Sequence, residues 1–301
     1  MQASEPPKRR RLGLLAVCAA AGLWAGAANV ASALFQRGVS PAELAEARAA
    51  VAFAGFTLFP MARRARPSAA RGLQIIGLGV AIAGVNLAYY VAIDHLAVAI
   101  AIVMQYTAPA LVVLWVATKS RRAPSRAVAV SLVAAVAGVA LVTELPWAGA
   151  SGIDAVGLVA GALSAVLFAT YTLLAESLAE EYGPPGAMLR GFAVATLVWA
   201  VYQAPRGLPW DLLQPSNLPG VLYIGVAGTL IPFWLFVWGV GQVAPERASI
   251  GATLEPVLAG VIAWAWFHQT LSVMQVAGGL LVVAAVIVLS LQRDRVAAPE
   301  P

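Results

Sequence analysis

Charge is scarce in this chain. Asp, Glu, Lys and Arg supply 11% of its 301 residues, against about 25% in a soluble domain. So little charge cannot clothe a surface in water, so water is not the main solvent. Cysteine is nearly missing: Cys18 is alone, which excludes a disulfide framework within the chain. The two histidines, His95 and His268, are too few and too scattered for metal-ligand spacing. No Gly-x-x-x-x-Gly-Lys-Ser/Thr loop occurs, so the usual route to ATP hydrolysis is closed. Ser/His/Asp, His-Glu-x-x-His and paired-carboxylate arrangements are missing too, as is a channel-filter signature. No enzyme activity, metal or cofactor is expected.

Apolar sequence is abundant: 61% of residues are hydrophobic and the mean hydropathy is +0.83. A membrane span needs about 20 largely apolar residues. Ten runs qualify, at about 12–35, 41–61, 72–93, 97–117, 125–143, 153–175, 185–204, 218–240, 246–267 and 272–291. Turn formers separate them: Ser40-Pro41, Arg66-Pro67-Ser68, Ala123-Pro124-Ser125, Pro184-Pro185 and Pro205-Arg206-Gly207. The tails, 1–11 and 293–301, are polar and are expected to lie outside regular structure. Lys8 to Arg11 followed by an apolar run imitates a signal peptide, but the many later spans favour a first transmembrane helix. The net charge of +5 sits in short clusters between spans, which encodes membrane orientation and not nucleic-acid binding. With the N-terminus inside, fifteen of the nineteen Lys and Arg residues fall in inside segments. The expectation is therefore that both termini are cytoplasmic.

The chain repeats itself. "VAGVALV" (136–142) returns as "VAGGLLV" (276–282), Pro109 is matched by Pro256, and Arg48 by Arg190. The offsets are 140, 147 and 142 residues, so each copy, 12–143 and 152–291, holds five helices. Five is odd, so the second copy enters the membrane upside down. Inverted repeats of this kind build secondary transporters, with a site near the midplane between the halves.

Glu255-Pro256 stands in the middle of "SIGATLEPVLAGVIAWAWF". An ionisable residue at that depth costs roughly 2.5–3.5 kcal/mol and points to function by default. Its neighbours three and four residues away, Ala248, Gly251, Ala252, Leu258 and Ala259, are mostly small. They suit either a close helix contact locked by the glutamate or a cavity wall. Pro256 and Pro109 each leave a carbonyl, of Ala252 and Gln105, without its helical donor. These kinks serve packing or line a site. Polar and aromatic residues near mid-span complete the candidate cavity: Trp24, Asn29, Asn86, Tyr89, Gln105, Tyr106, Tyr171 and Trp234. For each the competing reading is interhelical bonding or an interfacial anchor. Gly22/Gly26 and Gly157/Gly161 read as close helix packing. Arg48 and Arg190 read as snorkelling or capping helix ends, and both histidines as loop residues at outside ends.

The order and spacing of "GLWAGAANV", "SPAELAEARAAVA", Pro109, "SAVLFATYTLL", "EPVLAGVIAWAWF" and "VMQVAGGLLVVAAVIV" resemble the EamA-type members of the drug/metabolite transporter superfamily. The likeness runs from about 12 to 291. The family's Gly-Glu-x-Leu is missing after spans four and nine, where "ATKSRRAP" (117–124) and "FHQTL" (267–271) stand. The resemblance implies a central cavity between two five-helix halves in a bacterial inner membrane. It implies a small organic substrate, such as an amino acid or amine, moved outward by alternating access. Glu255 then becomes a candidate for a coupling proton, with a counter-solute as the alternative. An exchanger or importer of the same fold, a membrane enzyme acting on lipids and a non-transporting scaffold are the competing readings.

Overall fold

A computed structural model of the chain describes residues 7–35, 37–63, 69–95, 98–144, 154–207, 209–267 and 270–291. Arg66, Pro67, Ser68, Trp147, His268 and both extreme tails lie outside the described residues. Every regular element among the described residues is helical. The helices are α1 (Pro7–Phe35), α2 (Pro41–Thr57), α3 (Gly72–His95), α4 (Val98–Gln105), α5 (Ala108–Ser120), α6 (Arg126–Val142), α7 (Ala155–Gln203), α8 (Leu218–Gly225), α9 (Ile231–Val243), α10 (Pro245–Ala252), α11 (Leu254–Phe267) and α12 (Val273–Leu291). Among the described residues, five helical stretches are long and apolar enough to cross a membrane, and α6 and α12 are shorter apolar helices.

Local chemistry fixes the starts. Ser40 and Glu43 form a reciprocal capping box around Pro41 at the head of α2. Ser125 caps α6 and Asp154 caps α7 through their side-chain oxygens. Helix α1 starts at Pro7, earlier than the sequence reading placed it. Proline suits the first turn, and the arginines that follow are good helix formers.

The turn expected at Pro184-Pro185 stands beside Gly183, where two helical stretches of α7 meet at a backbone with φ 69° and ψ 161°. That backbone state is open essentially to glycine alone. At 1.5 Å per residue an unbroken helix of 49 residues would be about two and a half times the thickness of a bilayer core. The turn at Gly183 divides it into two stretches, each about long enough to cross one. Both lie against α3, where Gly77 meets Leu174 and Gly191 meets Leu78 and Ile82.

Side-chain size is distributed as lipid solvation requires. Outward positions carry large apolar groups: Leu73 is 85% exposed, Val133 69% and Leu280 66%. The interior is rich in alanine, with Ala20, Ala25, Ala52, Ala135 and Ala175 fully buried. Some buried hydroxyls return to their own helices, as Ser164 does to the Gly161 carbonyl at 2.8 Å and Thr172 to that of Phe168 at 2.9 Å. In a medium without water such internal satisfaction is favoured.

In the seam between α6 and α12 two glycines meet backbone to backbone. A Cβ on Gly138 would lie 2.8 Å from the Gly278 carbonyl oxygen, and one on Gly278 would lie 2.6 Å from that of Gly138. These are the matching glycines of the two heptapeptides, and each faces the other. Ser131 donates across the same seam to the Ala285 carbonyl at 3.1 Å.

Candidate functional site

Two helical runs are broken in front of their prolines. The run from Val98 stops at Gln105 and resumes at Ala108; the run from Pro245 stops at Ala252 and resumes at Leu254. The stops are 147 residues apart, the same offset as Pro109 and Pro256. At each break a threonine turns its hydroxyl back three residues: Thr107 to the Met104 carbonyl at 2.6 Å and Thr253 to that of Ile250 at 2.7 Å. The proline removes one donor, and the threonine compensates nearby.

The two breaks are joined to each other. The Tyr106 hydroxyl, inside the first break, donates to Glu255 Oε2, just after the second, at 2.8 Å. Tyr89 on α3 lies within electrostatic reach of the same carboxyl, and its ring is 6.1 Å from that of Tyr90. Glu255 is half-buried, on a helix whose preceding Gly251 packs on Leu14 and Val17 of α1. The glutamate thus does lock helices together, and its partner is a tyrosine of the other copy.

Arg48 is the residue that sequence reasoning misplaced. It does not cap a helix end. Its Nε donates to Thr229 Oγ1 at 2.8 Å and its Nη2 to the Gly228 carbonyl at 3.0 Å. Gly228 is four residues before Pro232, so its carbonyl has no helical donor. The local answer is a π-helical turn, Val226–Leu230, with Arg48 supplying the missing hydrogen bond. Tyr90 and Glu255 are both within electrostatic reach of the guanidinium. Asn86 joins Arg48 and Thr229 around a cavity of about 10 Å³, room for one water at most. The available signal was a lone arginine seven residues into an apolar helix, which an intramembrane-charge argument would have flagged. Arg190 follows the helix-end expectation, donating to the Gly186 carbonyl at 2.8 Å while lying 4.1 Å over the Tyr182 ring.

Three of the predicted aromatic residues, Trp24, Tyr171 and Trp234, fall into a separate block. Trp24 sits 5.5 Å from Phe233 and 5.5 Å from Phe236. Tyr171 is 1% exposed and packs 5.2 Å from Phe233 and 5.6 Å from Phe236. Its hydroxyl has no hydrogen-bond partner among the described residues. Trp234 is half-buried, 5.9 Å from Phe59. Arg48 connects the block to the polar group, its guanidinium 6.0 Å from the Phe233 ring centre. Gln105 is half-buried at the first break. Position 29 is helical, and the Asn29 side chain lies outside the described residues. His95 is tied to the chain more closely than a free loop residue, with its Nδ1 2.9 Å from Asp154 Oδ2. That contact and the Val156 amide hold the Asp154 carboxyl below its ordinary range. Of the paired glycines, Gly161 packs closely on Met104, and Gly22 meets Leu258 at ordinary contact distance.

Chemically, the arrangement offers one carboxyl, one guanidinium and three tyrosines between two broken helices. No group of three or more His, Cys, Asp or Glu side chains that could hold a metal occurs among the described residues. The sequence profile of the EamA-like transporter family matches the chain twice, over residues 11–144 and 155–291. Among individual relatives, an uncharacterized transporter from Archaeoglobus fulgidus is 26% identical over 44% of this chain and 47% of its own length. An uncharacterized inner membrane transporter, YicL, from Salmonella typhimurium is 24% identical over 70% of each chain. The threonine/homoserine exporter RhtA of Salmonella typhimurium is 26% identical over 71% of this chain and 69% of its own. The alignment thus spans about half of the Archaeoglobus relative and about two thirds of the other two. One crystal structure of a protein shares the fold, with a TM-score of 0.74 and 20% identity over 92% of this chain and 95% of that one.

Proposed function

The chain belongs to the EamA-like transporter family, and from that premise we propose a secondary transporter that exports small organic metabolites, amino acids or amines, across a bacterial inner membrane. It works by alternating access between two inverted five-helix halves, ten spans in all, with both termini cytoplasmic. The observation that carries this reading is the Tyr106–Glu255 hydrogen bond between two matching helix breaks. Discontinuous helices expose backbone polar groups near the bilayer midplane, where transporters of inverted-repeat design hold their substrates.

Other features support it. The reciprocal Gly138–Gly278 contact is what a two-fold axis in the membrane plane would produce. The basic clusters orient the chain with its N-terminus inside, and a relative carries an inner-membrane name. The amino-acid class comes from the exporter named among the relatives. Glu255 serves as the polar centre that couples substrate, or a proton, to movement of the halves. Arg48, Tyr89 and Tyr106 surround it, and the Trp24–Tyr171–Phe233 block forms the packed wall that must part when access changes.

The test is counterflow in proteoliposomes holding the purified protein, with a panel of labelled amino acids and amines. Threonine-like amino acids should exchange faster than in protein-free vesicles. No counterflow with any member of the panel would refute the reading and favour a scaffold.

A further inference from the structure

The helical run from Leu218 to Val243 is interrupted by the π-helical turn Val226–Leu230, between α8 and α9. Its hydrogen bonds reach back five residues. The Ile231 N–H donates to the Val226 carbonyl, and the Thr229 hydroxyl donates to that of Ile224 at 2.8 Å. Pro232 removes the donor that the Gly228 carbonyl would have in an α-helix. Arg48 of α2 meets both groups from outside, donating to Thr229 Oγ1 at 2.8 Å and to the Gly228 carbonyl at 3.0 Å.

Three features mark this turn as a place to bend. First, its two sides belong to different packing units. On the α8 side Val221 and Ile224 share a small cluster with Leu34, Leu44 and Leu212. On the α9 side Phe233, Phe236 and Val240 join the main core with Trp24 and Tyr171. Second, neighbouring helices touch it at glycines. A Cβ on Gly225 would lie 2.4 Å from Val51 and one on Gly228 2.6 Å from Ala27. No side chain interlocks at these two contacts, so the backbone can slide there without a rotamer change. A cavity of about 10 Å³ between Arg48, Asn86, Thr229 and Phe233 leaves the packing incomplete at the same level. Third, bending costs few hydrogen bonds. Passing from π to α spacing moves the Ile231 N–H from the Val226 to the Ala227 carbonyl, one bond for another. The Gly228 carbonyl lacks a helical donor in either form. Prolines and π turns are where helices kink, and π turns recur at functional sites. Arg48 also lies within electrostatic reach of Glu255, so a change of charge at the central carboxyl is felt at the turn.

We propose that the Val226–Leu230 turn is the hinge on which α8 swings against α9, and that Arg48 is the positioning residue that clasps it in the setting described. The proposal rests on the alternating-access reading, for which it names a moving piece. That piece is α8 with the end of α1 that carries Leu34, on the side that the basic clusters place outside.

Distances between paired spin labels test it, in the full chain with Cys18→Ala as background. Leu213→Cys with Val273→Cys reports on the α8 side, and Gly241→Cys with Leu291→Cys on the α9 side; all four positions are exposed. Arg48→Met should shift the first distance by about 5 Å or more, the scale of one helical turn, and leave the second unchanged. Pro232→Ala returns a helical N–H to the Gly228 carbonyl, so adding it to Arg48→Met should cancel most of the shift. Thr229→Val removes only the hydroxyl link. It repeats the test if Arg48→Met does not fold, with a smaller shift in the same direction. Equal changes in both distances would make Arg48 a general structural tie and overturn the hinge. So would a folded Arg48→Met protein with the first distance unchanged, or a shift that Pro232→Ala does not reduce. Counterflow in proteoliposomes reads the transporter assignment separately: its absence in the wild type refutes that reading, and the distances judge the hinge by themselves.

Discussion

The α6–α12 seam gives the sharpest structural prediction. Gly138→Ala places a methyl group 2.8 Å from the Gly278 carbonyl oxygen, 2.6 Å from Val282 Cγ2 and 3.1 Å from the Val282 amide nitrogen. Two of those three atoms are backbone, so no side-chain rotation relieves the clash, and the helices must separate. Overpacking of this kind costs about 1–3 kcal/mol. Alanine recovers about 1 kcal/mol of helix propensity over glycine, leaving a net loss of about 0–2 kcal/mol, and a loss of about 1–3 kcal/mol relative to an unhindered Gly→Ala change. Gly278→Ala meets the Gly138 carbonyl at 2.6 Å and the Val142 amide at 2.7 Å, so the same loss is expected. Once either methyl has parted the helices the second fits more easily, so the double variant should lose less than the sum. Gly241→Ala is the control, because nothing lies within 4 Å of its added Cβ. Unfolding in mixed micelles by titrated dodecyl sulfate reads all four proteins. If Gly138→Ala matches Gly241→Ala, or if the two seam substitutions add fully, the reciprocal contact is not what holds the seam.

Other outcomes follow from single side chains. A double-mutant cycle of Tyr106→Phe and Glu255→Gln should show a coupling of about 1 kcal/mol in the same unfolding assay; zero coupling would mean that the two breaks are not bonded. Arg48→Met should destabilise by about 1–3 kcal/mol, because it leaves the Gly228 carbonyl unpaired, and Arg48→Lys should restore only part of that because it lacks the fork. The Asp154 carboxyl is held below its ordinary value by His95 and the Val156 amide. Its stabilisation is therefore present above roughly pH 4 and lost as pH falls through the lowered value. The melting difference between wild type and Asp154→Ala should shrink accordingly in acid, and a difference that grows there would contradict the sign.

Much of this was legible in the sequence because lipid imposes few solutions. Apolar length gave the helical runs, and the repeat put Pro109 opposite Pro256, where the breaks stand. Glu255 stood out as a charge at mid-span. What could not be read was long-range pairing. Nothing local in "AIVMQYTAPAL" says that Tyr106 meets Glu255, 149 residues away. Arg48 was misjudged because its partner is a carbonyl freed by Pro232 in a distant helix. Counting turn formers put a turn at Pro184-Pro185, and the chain does turn there, at the adjoining Gly183. Trp24 and Tyr171 were chosen for their depth, and depth does not say whether an aromatic ring faces a cavity or other rings.

The central claim is that the Glu255 carboxyl, set between two broken helices, is what couples solute movement to the membrane. Flux of threonine in proteoliposomes under an imposed pH gradient, wild type beside Glu255→Gln, tests it most directly. The account predicts gradient-driven flux in the wild type and at least a tenfold loss in a Glu255→Gln protein whose melting shows it folded. Equal flux with equal pH dependence in the two proteins would contradict it.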